Sequence, residues 1–140
     1  MLKNIFKKKN SENNGVLIAA LLIHAAKIDE NYTEVEKKII LKAIEQLNEI
    51  NPDEAEKLFK LAEKKEEESN QIVEFTREIK KRPIEFRYKI IEIIWKIVYS
   101  DGVSDSYESN LIRRICGLLY ISDKDNGIIK TKVHKSFNKL

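Results

Sequence analysis

Glycine, proline and cysteine are scarce in this chain of 140 residues, which has four glycines, two prolines and one cysteine. So few turn-forming residues disfavour a fold of many short strands and favour helices. The single cysteine, Cys116, excludes an internal disulfide framework and is typical of a reducing compartment. Positive charge does not dominate either, because the formal net charge is only +3 although 35% of the residues are charged. Nothing in the charge balance points to nucleic acid as a partner.

A long hydrophobic run is also lacking. The longest uncharged stretch, Asn13–Ala26, is too short for a membrane span, and His24 interrupts it. We therefore expect a cytoplasmic protein of one domain, residues 16–140, preceded by a basic lead-in, residues 1–15.

The lead-in segment combines apolar and basic residues. Leu2, Ile5 and Phe6 stand beside four lysines within residues 1–9. Two explanations stay open: a weak peripheral contact with an anionic membrane, and a short helix that packs on its own domain.

Apolar residues recur at helical spacing through most of the chain and predict about seven helices. Val16–Ile28 and Ile90–Val98 are apolar nearly all round, so we expect both to be buried at the centre of the core, with Trp95 inside. A run of charges at 64–68 is interpreted as the solvated end of the third helix. Start signals precede the other helices, and a proline closes the fourth. The start signals are Thr33, Asn51 with Pro52, Pro83, Asp105 and Ser122. Pro83 also follows the fourth helix, which we expect over residues 72–79.

Two stretches of the chain read as copies of one another. When Leu21–Leu47 is placed over Ile93–Leu119, a shift of 72 residues, the apolar positions fall in register and four positions are identical. Two of the four are acidic, and they form the same Asp-x6-Glu pattern in both copies. They are Asp29 with Glu36 and Asp101 with Glu108. The sequence thus predicts an all-α bundle with an internal pseudo-twofold helix–turn–helix duplication.

The paired carboxylates have two explanations. Glu36 and Glu108 each follow a cap residue by three positions, so they fit capping boxes, with Arg77, Arg113 or Arg114 pairing the remaining charge. However, Asp29 and Asp101 end helices, where the dipole disfavours a carboxylate. If the two turns converge, four carboxylates need a cation, and oxygen ligands favour Ca²⁺ or Mg²⁺.

Other chemical candidates are weaker. His24 and His134 have no second histidine or cysteine at ligand spacing, and His24 is interpreted as a core histidine. Cys116 falls on an apolar stripe and is interpreted as a packed thiol. The basic stretch Arg77–Lys89 lacks interleaved exposed aromatics, so we expect no nucleic-acid partner.

Several of these segments resemble the tellurite-resistance TerB family, whose domain is also found at the N-terminus of the membrane co-chaperone DjlA. The resemblance covers roughly Val16 to Val133 and suggests a stand-alone member. One departure is Glu30, which replaces the glycine that the second copy keeps as Gly102. The segments that carry the resemblance are Ala25–Glu36, Phe75–Arg77, Ile94–Glu108 and Leu111–Arg114.

The resemblance implies a seven-helix fold and a non-enzymatic module in tellurite-type stress resistance, acting in metal-linked complexes at the inner face of the membrane. Its acidic positions fall on Asp29, Glu36, Asp101 and Glu108, and its supporting arginine on Arg77. A protein partner is implied but not identified, and the oligomeric state is left open. Two alternatives remain: a metal-dependent hydrolase that uses the same carboxylates, and a structural interaction domain in which they are ion-paired.

Overall fold

The structure, a computed structural model, describes residues 15–29, 32–69, 71–100 and 106–138, without the side chains of 29, 106–109 and 138. Within these ranges the chain forms seven α-helices, two short 3-10 helices and no strand, which confirms the predicted all-α class. The helices are α1 (15–26), η1 (Lys27–Asp29), α2 (Glu34–Asn48), α3 (Pro52–Glu68), α4 (Ile72–Thr76), η2 (Ile79–Lys81), α5 (Ile84–Tyr99), α6 (Ser106–Leu118) and α7 (Asp123–Asn138).

Three of the predicted helix starts are confirmed by their hydrogen bonds. Thr33 caps α2 in a complete capping box, and the Asn51 side chain accepts from the Glu54 backbone N–H at 2.8 Å ahead of Pro52. The Ser122 hydroxyl accepts from the Asp125 N–H at 3.1 Å. Each bond satisfies a donor that the first turn of a helix leaves free. The predicted cap at Asp105 lies outside the described residues.

The fourth helix is shorter than the sequence predicts. A single helix over 72–79 was expected, but α4 ends at Thr76 and a turn leads into η2. The Thr76 hydroxyl donates to the Val73 carbonyl at 3.2 Å, a local bond that competes with helix propagation. Arg82 is extended, as the following proline requires.

Two helices form the centre of the core, as the sequence predicts. The run Ile18–Ile23 in α1 is at most 4% exposed, and five side chains of α5 are at most 2% exposed. Both helices belong to one apolar cluster, against which the amphipathic helices place their apolar faces. No helix among the described residues is long and apolar enough to cross a membrane.

The packing of the helices repeats in a way that matches the duplication. α2 packs against α5, and η1, which continues α1, packs against α6. In the duplication α1 corresponds to α5 and α2 corresponds to α6, so these two contacts are equivalent. An approximate twofold axis produces such a pair of contacts. α5 also contacts α6 and α7. This arrangement brings η1, which follows α1, next to the second copy.

Candidate functional site

The first acidic turn is built from the end of α1 and the start of α2. α1 tightens into η1, which carries Asp29, and the chain enters α2 through Thr33. Glu36 therefore lies on the first turn of α2, close in sequence to the end of η1. The side chain of Asp29 lies outside the described part of the chain.

Glu36 is held by its own helix start. Its side chain is only 2% exposed. One carboxylate oxygen, Oε1, accepts from the Thr33 backbone N–H at 3.1 Å and from the Thr33 hydroxyl at 3.0 Å. The Glu36 N–H in turn donates to the Thr33 hydroxyl oxygen, Oγ1, at 3.2 Å. The predicted capping box is confirmed in this copy, and it orients the carboxylate at the turn.

The second acidic turn is only partly described. Asp101 lies outside the described residues, and Glu108 is on α6 but its side chain is not among those described. The contact of η1 with α6 nevertheless makes the helix that carries Glu108 a neighbour of the segment that carries Asp29. The geometry of the four carboxylates stays a prediction.

Arg77, the predicted supporting cation, is exposed and occupies the C-cap position of α4. Its charge acts on Glu74. The pKa of that carboxyl is lowered by hydrogen bonds from Lys65 and Ser69, and the charges of Lys65 and Arg77 add to them. Lys65 Nζ lies 2.9 Å from Glu74 Oε1, so this exposed pair joins α3 to α4. A pairing of Arg77 with the acidic turns stays a prediction.

A buried ionic cluster that was not predicted from the sequence lies beside the first turn. Glu66 is only 6% exposed, so placing it in a solvated helix end was wrong. Its Oε1 lies 3.2 Å from His24 Nδ1, and its Oε2 accepts from Lys27 Nζ at 2.9 Å. The bonds attach the end of α1 and η1 to α3. His24 is thus a satisfied histidine, as expected, but it is half-buried rather than part of the core.

Tyr32 adds an unusual polar group to the same turn. Its hydroxyl is buried with no hydrogen-bond partner among the described residues. Lys37 and Lys27 lie over its ring, at 4.9 and 5.6 Å from the centroid. Burial, and then nearby negative charge, raise the pKa of the hydroxyl well above its ordinary value. The charges belong to Glu63, Glu36, Glu66 and Glu34. Glutamates of α2 and α3 therefore lie near Tyr32 together with the two lysines, so the first turn holds charges of both signs.

Cys116 is a packed thiol, as predicted, and His134 contacts an aromatic ring. Cys116 is 1% exposed, and burial, with the charge of Asp123, raises the pKa of its thiol to about 12. A thiol with so little thiolate is a poor nucleophile and a poor ligand. The His134 ring packs against Tyr99 at 5.1 Å between centroids.

Among the side chains that the structure describes, no group of three or more histidines, cysteines, aspartates or glutamates is arranged to hold a metal ion. Three of the four predicted ligands, Asp29, Asp101 and Glu108, are outside that set. The predicted Ca²⁺ or Mg²⁺ site therefore stays a prediction.

The fold defines a class: an all-α domain with seven α-helices among the described residues, in which two helix pairs related by the duplication pack together. The family model described as tellurite resistance protein TerB matches residues 16–131. The chain belongs to the TerB family, as its resemblance predicts. Neither the comparison with curated proteins nor the comparison with solved structures gave a match.

Proposed function

We propose that this TerB-family domain is a non-enzymatic module of tellurite-type stress resistance that binds a divalent cation and docks a protein partner. The proposed ligands are Asp29, Glu36, Asp101 and Glu108. Membership of the family supports the physiological setting. The proposal places the protein in the cytoplasm, with residues 1–9 as a weak contact to the inner face of the membrane.

The main support for the proposed cation site is the contact between η1 and α6. η1 bears Asp29 and α6 bears Glu108, so the contact supports convergence of the two acidic turns. The reciprocal contact of α2, which bears Glu36, with α5 supports the same symmetry. Carboxylates gathered in this way repel one another unless a cation neutralises them.

The ligand chemistry favours a hard cation. All four proposed side chains are carboxylates, and Ca²⁺ and Mg²⁺ prefer oxygen ligands. Glu36 is already oriented by Thr33, which reduces the loss of side-chain entropy on binding. Four carboxylates offer up to eight oxygens, which can provide the roughly six to eight ligands of Ca²⁺, and Mg²⁺ would keep some of its water.

A second function is favoured by the capping box itself. Glu36 completes a box with Thr33, so the acidic residues also fit a structural interaction domain in which they cap helices and form ion pairs. In that case we expect Arg77 to form ion pairs with the carboxylates of the acidic turns.

Calorimetric titration with Ca²⁺, Mg²⁺ and Mn²⁺ tests the cation site. At a hundred times its dissociation constant, a bound ion stabilises the fold by about 2.7 kcal/mol and raises the unfolding temperature. The variant Asp29→Asn/Asp101→Asn should fold but lose both the binding heat and the rise in unfolding temperature. The matched control Glu56→Gln/Glu67→Gln removes two exposed charges from α3 and should keep both.

Two results would overturn the cation site. One is the absence of binding heat in the native protein, combined with destabilisation by Arg77→Ala, which indicates an ion-paired structural domain. The other is equal metal response in the Asp29→Asn/Asp101→Asn variant and the control, which places the ion elsewhere.

A further inference from the structure

A groove runs over α5 between two of its neighbours, α2 and α7. Both helices pack against α5. The groove has a volume of about 300 Å³ and is lined by apolar residues from all three helices. These residues are Ile39 and Ala43 of α2, Ile93 of α5 and Phe137 of α7. The groove is therefore a recessed apolar trough rather than a flat patch.

Phe137 makes one wall of the groove and is partly open to solvent. Its side chain is 36% exposed, whereas Ala43 and Ile93 on the floor are 6% and 7% exposed. The Phe137 ring packs on Tyr99 at 6.4 Å between centroids, which holds it at the wall. An aromatic ring that is fixed but still accessible is typical of a contact residue for an apolar side chain.

The rim of the groove is basic. Lys42 and Lys96 line it, and Lys132 lies beside Lys96. Lys96 Nζ and Lys132 Nζ share a single carboxylate oxygen, Glu92 Oε1, at 3.7 and 3.8 Å. Lys42 has no ion pair among the described residues. The rim is therefore net positive, with three lysines against the single carboxylate of Glu92, and its exposed ion pairs are weak.

We propose that this groove is the docking site of the protein partner, and that the partner presents an amphipathic helix with acidic residues beside its apolar face. The inference rests on the docking part of the proposed function and names the surface and the chemistry of the partner. It is independent of the cation site.

A helix fits the groove better than other occupants. A trough between two helices that flank a third accepts a further helix, whose apolar residues at i, i+3, i+4 and i+7 enter it. Acidic side chains on both flanks of that helix then meet the lysines of the rim. A membrane, in contrast, requires apolar groups that protrude, whereas this floor is recessed.

A displayed library of 18-residue helices tests the proposal. Each helix carries Leu, Ile, Phe or Met along one face, and its flanking positions vary among Glu, Gln and Lys. Selection on the full chain should enrich helices with Glu at the flanks. The rim variant Lys42→Glu/Lys96→Glu should bind the selected helices at least tenfold more weakly, because it reverses the attraction.

Matched controls separate this surface from general charge effects. Lys60→Glu/Lys64→Glu makes the same change on the exposed face of α3 and should alter binding less than twofold. Phe137→Ala should weaken binding about tenfold while leaving the charge unchanged. The affinity for the selected helices should be the same with Ca²⁺ and with excess EDTA. The docking proposal can therefore hold even if the protein binds no cation.

Several outcomes would overturn the proposal. These are no enrichment, enrichment without Glu at the flanks, and equal binding by the rim and α3 variants. Sedimentation that shows native dimers lost in the rim variant would assign the groove to a second copy of the chain. Binding of native protein, but not of the rim variant, to phosphatidylglycerol vesicles without selected helices would assign it to a membrane.

Discussion

Glu66 joins three parts of the chain through one carboxylate. Its two oxygens bond to His24 at the end of α1 and to Lys27 in η1, while its own backbone belongs to α3. Because the side chain of Glu66 is almost fully buried, water does not replace these bonds when they are lost. Since η1 also carries Asp29, the bonds of Glu66 help to position the first acidic turn.

Replacing Glu66 with Gln should therefore destabilise the protein. The variant keeps the shape of the side chain but removes its charge from two basic partners, of which His24 is 19% and Lys27 31% exposed. We expect a loss of about 1–3 kcal/mol in the free energy of unfolding, measured by urea denaturation. The neighbouring exposed control, Glu67→Gln, should change it by less than about 0.5 kcal/mol. Equal effects of the two substitutions would contradict this role for Glu66.

The sequence predicts some residues of the site and not others, for a physical reason. Thr33 and Glu36 are three residues apart, so their capping box is visible in the sequence and is confirmed. Glu66 also carries a local signal, because it continues the buried positions Ala55, Phe59 and Ala62 of α3 at helical spacing. Its partner His24 is 42 residues away, and only the tertiary fold brings the two together.

At the scale of elements, the second helix of each copy ends in the same kind of turn. Glu49 after α2 and Tyr120 after α6 both have positive φ angles, 51° and 58°. In each turn the next N–H donates five residues back, Ile50 to the Glu45 carbonyl and Ile121 to the Cys116 carbonyl. This is a helix end that usually carries glycine. Neither glutamate nor tyrosine is typical of a left-handed helix end, so these two helix ends could not be predicted from the sequence.

Glycine at position 49 should therefore stabilise the protein. A side chain in the left-handed region costs about 1–2 kcal/mol, and a glutamate there also opposes the helix dipole. After the larger entropy of glycine in the unfolded chain is subtracted, Glu49→Gly should raise the free energy of unfolding by about 0.5–1 kcal/mol. The same substitution one turn earlier, Glu45→Gly, lies inside α2 and should lower it by about 1 kcal/mol. Thermal and urea unfolding of both variants measure the difference, and destabilisation by Glu49→Gly would contradict the assigned turn.

At the scale of the whole molecule, the duplication organises the packing. Apolar periodicity and the internal repeat are local properties, so the sequence predicts the two central helices and the number of α-helices. The contact of η1 with α6 and the groove over α5 depend on how those helices assemble. No spacing within one helix encodes such a contact. This is why the acidic residues were identifiable from the sequence while their surroundings were not.

Trp95 connects α5 to α7 and tests that assembly. It is 2% exposed, its indole N–H donates to Asn126 Oδ1 at 2.9 Å, and Lys130 Nζ lies 5.1 Å from the ring centroid. Trp95→Ala should lower the free energy of unfolding by about 3–5 kcal/mol, since it leaves a large cavity and removes the bond to α7. Trp95→Phe keeps most of the buried area and should lower it by less than half as much.

Trp95 is the only tryptophan, so these unfolding curves require far-ultraviolet circular dichroism rather than fluorescence. The control is Tyr120→Ala, which truncates an aromatic side chain that is 71% exposed and should change stability by less than about 0.5 kcal/mol. A loss below about 1 kcal/mol for Trp95→Ala would mean that α7 does not cover α5 in solution. The groove between α2 and α7 would then lose one of its walls, and the docking surface would fall together with the packing on which it depends.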